Sequence, residues 1–154
     1  MLVDVQYGSF TVGFGDWTGP DNPDEYLRFP AEHGWIIDWA YGALTVATGL
    51  QVGDVDVDIR VLQSDPGPAH LAPAQELDEM SIETHGTRIV VQGFDWGHEL
   101  PERLPASSSG VYRVRCIATN RERDEPVGIE RFQVSIWPTG SALPRSERQL
   151  KNMS

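Results

Sequence analysis

From Gly53 to Leu62 the chain reads Gly-Asp-Val-Asp-Val-Asp-Ile-Arg-Val-Leu, acid alternating with β-branched residue. In an extended strand successive side chains point to opposite faces, so Val55, Val57, Ile59 and Val61 share one side. Asp54, Asp56, Asp58 and Arg60 share the other. Same-face carboxylates then stand about 6.5–7 Å apart, with no counter-charge among the first three. Aspartates are poor strand formers and repel one another, so a merely solvated face gains little from them. The run reads as half-buried β-structure whose polar face either carries tolerated surface charge or is meant for something cationic.

Period-2 alternation recurs along the rest of the chain, and helical periodicity is almost absent. Val3, Val5 and Tyr7 alternate with Asp4 and Gln6, and after Gly8 the residues Phe10, Val12 and Phe14 share a face. These two runs read as a hairpin or bent strand pair. Ala43–Ala47 continues the pattern. Met80–Thr84 and Arg88–Gln92 flank His85-Gly86 and read as a further hairpin. Val111–Ala118 and Ile129–Trp137 flank the polar loop 119–128. About eight short strands separated by turn signals predict a single-domain, all-β antiparallel sandwich over residues 1–138. Residues 139–154 read as a polar, basic C-terminal tail. Two long connections, Gly15–Gly34 and the proline- and alanine-rich Ser64–Glu79, are expected as loops.

The chain has 154 residues and a formal net charge of −11. That length suffices for one domain with its own core. Residues 1–100 hold three arginines and 17 acids, a balance of −14, whereas residues 101–154 hold nine cations and six acids, a balance of +3. A field of that sign repels phosphates and steers basic partners, so direct nucleic-acid binding is not expected. No apolar run approaches the ~20 residues that span a bilayer, so no membrane association is expected. The start Met1-Leu2-Val3-Asp4-Val5 lacks the features of a signal peptide, and the one cysteine, Cys116, has no disulfide partner. A cytoplasmic protein is the expectation.

Catalytic and metal motifs are weak. Asp54-x-Asp56-x-Asp58 matches the opening of an EF-hand loop, but the position that must turn sharply is Ile59 rather than glycine. Cys116 falls in an apolar-alternating strand, where a small buried hydrophobe is expected rather than a reactive thiolate. Ser107-Ser108-Ser109-Gly110 resembles a connector, not a nucleophile elbow. His33, His70, His85 and His98 lack metal-ligand spacing, and Asp95-x-x-His98-Glu99 reads as an ordinary polar loop. No enzyme activity, metal or cofactor is expected. Of the five tryptophans, Trp17 and Trp96 lie beside Asp16 and Asp95 in glycine-bearing loops. Such residues serve protein interfaces and sugar stacking alike, or fold back over the ends of the sandwich.

Four segments carry a family resemblance: Tyr7-Gly8-Ser9-Phe10-Thr11-Val12, Ala40-Tyr41-Gly42-Ala43-Leu44-Thr45-Val46, Gly110-Val111-Tyr112-Arg113-Val114-Arg115-Cys116 and Phe132-Gln133-Val134-Ser135-Ile136-Trp137-Pro138. In their order the chain resembles the bacterial competence protein J family, whose members inhibit a DNA-entry nuclease. The resemblance implies an inhibitor or immunity protein that covers a cationic, phosphate-binding cleft. Together with the charge it predicts a small acidic module for a basic protein partner, for instance a nuclease. Asp54, Asp56 and Asp58 would form its electrostatic face, with Trp17 or Trp96 as aromatic anchors. The alternative is a carbohydrate-binding sandwich that stacks sugars on those loop tryptophans.

Overall fold

The computed structural model describes residues 1–17, 35–40, 42–94, 97–121 and 129–144. Among these residues there are ten strands and no helix: β1 (Leu2–Val5), β2 (Ser9–Phe14), β3 (Ile37–Ala40), β4 (Ala43–Ala47), β5 (Gly53–Val61), β6 (Gln75–Glu83), β7 (Ile89–Gln92), β8 (Gly97–Glu99), β9 (Val111–Thr119) and β10 (Arg131–Pro138). They form two five-stranded sheets, ordered β1-β5-β10-β9-β6 and β3-β4-β2-β7-β8. The all-β sandwich anticipated from the alternation is the fold.

Its details depart from the anticipated one in pairing. The strands number ten rather than about eight among the described residues, and one pairing is parallel: β10 runs along β5 with Arg131 opposite Asp56 and Phe132 opposite Val57. Alternation identifies the buried face of a strand but not its direction or neighbour. The expected hairpin of Met80–Thr84 with Arg88–Gln92 does not form. β6 pairs with β9 in the first sheet, and β7 pairs with β2 in the second. Tyr7, expected on the apolar face with Val3 and Val5, instead occupies a turn and is 69% exposed. There the chain passes from β1 in one sheet to β2 in the other, linked by a single Gln6–Ser9 bridge.

The valine face of β5 points inward: Val55 and Val57 are buried, and Ile59 and Val61 pack partly buried against the same core. Phe10 of the second sheet meets Phe132 of the first edge-to-face, ring centroids 5.4 Å apart. Core aromatics in this geometry gain beyond the area they bury.

β6 begins at Gln75, inside the segment expected as loop. Its first inward residues are acids, which hid the strand pattern. Asp78 is 0% exposed, and its Oδ2 accepts the backbone N–H groups of Ile36 at 2.9 Å and Ile37 at 3.0 Å. A carboxylate of the first sheet thus holds the start of β3 in the second. Glu76 is also buried and accepts a 2.6 Å hydrogen bond from Arg121 Nη2. Buried charges persist only when partnered in this way. After β10 the chain turns back over the first sheet, where Leu143 exchanges hydrogen bonds with Ser81 Oγ and its carbonyl accepts from Arg113. The rest of the expected tail, 145–154, and most of the expected 15–34 loop lie outside the described residues. No helix among the described residues is long and apolar enough to cross a membrane.

Candidate functional site

Asp54, Asp56 and Asp58 project from the outer face of the first sheet, as the alternation requires. Asp4 of β1 stands directly opposite Asp54 in the ladder, but its Oδ1 is buried against Gly93, so the exposed acidic row is that of β5. The expectation of a row without counter-charge is corrected. The Met1 ammonium lies 3.3 Å from Asp56 Oδ1, Arg131 Nε lies 3.9 Å from Asp56 Oδ2, and Arg60 Nε donates to Asp58 at 2.8 Å. Two of these cations arrive from β1 and β10, which no local pattern in β5 announces. Asp56, Asp58, Gln75, Ile117, Arg131 and Gln133 border a shallow cleft of about 340 Å³ on this face. Further across, Glu79 accepts from Arg113 at 3.0 Å and Arg115 at 2.7 Å, and the Arg115 guanidinium lies 5.2 Å over the Trp137 ring. The acidic character therefore belongs to the β1–β5 side.

Trp17 is on the other side of the molecule. Gly13 lies between inward-facing Val12 and Phe14, so its bare Cα faces out from the second sheet, and the Trp17 indole rests against it. The Trp17 backbone is held as well: its N–H donates to the Phe14 carbonyl, and its carbonyl accepts from Arg88 Nη1 at 3.1 Å. Arg88 Nε in turn binds Glu99 on β8, and this hydrogen bond holds the Glu99 carboxyl below its ordinary value. Trp17 is half-buried and uses one side of its ring on its own backbone. The structure thus separates Trp17 from the aspartates rather than bringing them together. Trp96 and its neighbour Asp95 lie outside the described residues.

A second cleft was not foreseen. It measures about 550 Å³ and opens over the outer face of the second sheet, beside the Tyr7-Gly8 turn. Ser9, Thr11 and Gln92 form part of its wall, and exposed Tyr7 and Phe94 meet at its rim with centroids 6.2 Å apart and planes at 64°. Gln6 Oε1 is buried beside them and has no hydrogen-bond partner among the described residues. Tyr7 and Gly8 have φ of 61° and 73°, the signs of a type I′ turn. Asparagine or glycine takes that first position without strain, and tyrosine does not. An aromatic residue directly before a turn glycine was the sequence signal available. The strand-like spacing of Val3, Val5 and Tyr7 masked it.

Cys116 is 0% exposed within the core, and burial, reinforced by the Asp78 and Glu76 carboxylates, pushes its thiol far up. It occupies the position of a small hydrophobe. Among the described residues no group of three or more His, Cys, Asp or Glu side chains could hold a metal ion. Comparison with models of known protein families, with curated protein sequences and with solved structures gives no significant match to this chain.

Proposed function

We propose that the protein is a binding module rather than a catalyst, and that it engages a protein with a basic surface through the β1–β5 side of its first sheet. The observation that carries this reading is the outward row Asp54, Asp56 and Asp58 on β5, the last two bordering the 340 Å³ cleft. β5 is hydrogen-bonded on both edges, by β1 and β10, so the row is held at fixed spacing and loses little freedom on binding. Carboxylates about 6.5–7 Å apart can stand in for the phosphates that a nuclease cleft accepts. The cations already on this face are exposed, and pairs of that kind contribute only about 0–1 kcal/mol, so a partner's lysines and arginines exchange with them readily. A net charge of −11 speeds encounter with such a partner and repels nucleic acid itself. The resemblance to competence protein J agrees with an inhibitor or immunity protein, and a cytoplasmic setting fits a chain with one buried, unpaired cysteine.

The test is capture from a native-cell lysate by the wild-type chain and by the Asp54→Asn/Asp56→Asn/Asp58→Asn variant, followed by binding kinetics with the purified captured protein. A basic protein should bind the wild type and be released by salt. The triple variant should associate at least about tenfold more slowly, with a flatter salt dependence. Equal association rates for the two chains at low salt would overturn the reading.

A further inference from the structure

We infer that the Tyr7–Phe94 cleft is a binding site for a neutral sugar ring. This site is separate from the acidic row and does not depend on it. Its volume of about 550 Å³ falls within the range of roughly 300–1,000 Å³ common for small-ligand sites. The described residues that line it carry no formal charge. These described residues therefore offer no cation to a phosphate or carboxylate ligand, and the net charge of −11 opposes anions further. Equally, these described residues offer no carboxylate to an ammonium or guanidinium group, whose desolvation would go uncompensated.

A wholly apolar ligand fails for a different reason. Ser9, Thr11 and Gln92 are half-buried polar side chains in the wall, and hydrocarbon laid over them would strip their water without replacing its hydrogen bonds. The ligand must bring hydrogen-bonding groups to Ser9, Thr11 and Gln92. It must also present a flat apolar face to Tyr7 or Phe94. A pyranose meets all of these demands, with C–H groups on one face and hydroxyls around its rim. Tyr7 adds a second reason. A bulky ring kept in the left-handed region, where asparagine would be unstrained, marks a position where the side chain is used.

The experiment is saturation-transfer and amide-shift NMR on the full chain with methyl pyranosides of glucose, galactose and mannose, and with maltose, cellobiose and lactose. The expected result is transfer to ring C–H protons and shifts confined to residues 6–11 and 92–94, unchanged between about 50 mM and 500 mM salt. Tyr7→Asn should raise the melting temperature yet weaken sugar binding at least about tenfold, which separates the site from the fold. Thr11→Val should weaken binding without unfolding, and the triple aspartate variant should bind sugar as the wild type does. Absence of transfer from every one of these sugars would overturn the inference. So would binding that survives in both Tyr7→Asn and Phe94→Ala, or N-acetyl-arginine amide shifting the same amides where sugars do not.

Discussion

The Trp17 indole occupies the space a side chain on Gly13 would need: a Cβ there would stand 1.9 Å from Trp17 Cε3. Gly13 is the penultimate residue of β2, paired with Ala43 on one side and Val90 on the other. Those small and medium neighbours leave a shallow seat, and the tryptophan closes it. Glycine is otherwise a poor choice inside a strand, and a closely approaching ring accounts for it.

Gly13→Ala should therefore displace Trp17 and lower unfolding stability by about 1–3 kcal/mol. In a Trp17→Ala background the same alanine should be neutral or mildly stabilising, since it restricts the unfolded chain. Urea denaturation of the four chains in the cycle measures this. Additive effects would mean that the two residues do not interact.

Asp78→Ala should be among the most damaging substitutions in the chain. It leaves the N–H groups of Ile36 and Ile37 buried without an acceptor, each at about 1–3 kcal/mol. Asp78→Asn keeps one acceptor oxygen and should lose less. Thermal and urea unfolding should rank the variants wild type, Asn, Ala, and hydrogen exchange at Ile36 and Ile37 should accelerate most.

The Cys116 thiol has a folded-state pKa raised above its ordinary value of 9.0 by burial and nearby carboxylates. The folded state therefore holds this proton more tightly than the unfolded state. The contribution is fully present below pH 9 and is lost as pH rises above it, by at most about 1.4 kcal/mol per pH unit. Stability measured by urea denaturation from pH 7 to 10.5 should fall in the wild type. Cys116→Ala, although less stable at neutral pH, should show a shallower alkaline decline. In the native state the thiol should resist thiol reagents at pH 8, because it is both protonated and inaccessible.

Several elements were legible in the residue pattern. Ala43–Ala47, the aspartate run, Val111–Ala118 and most of β10 show their strand pattern in the residues themselves, and all are strands. Others were not. β6 was hidden because Glu76 and Asp78 occupy core-facing positions, which only Arg121 and the backbone of Ile36 and Ile37 make tolerable. Of the named site residues, the three aspartates face outward as expected, while Trp17 lies on the opposite side of the sandwich. The Tyr7–Phe94 cleft joins residues about ninety positions apart, so no local window contains it.

The aspartate run condenses the difference. By itself the sequence determined that β5 has a valine face and an acid face, because side-chain alternation is a property of one extended strand. Only the tertiary structure decided what stands beside those acids. Asp4 and the Met1 ammonium come from β1, and Arg131 comes from a parallel neighbour with no hairpin to announce it. Strand pairing is a non-local choice, made by the burial of every strand at once, and the electrostatics of the face follow from that choice.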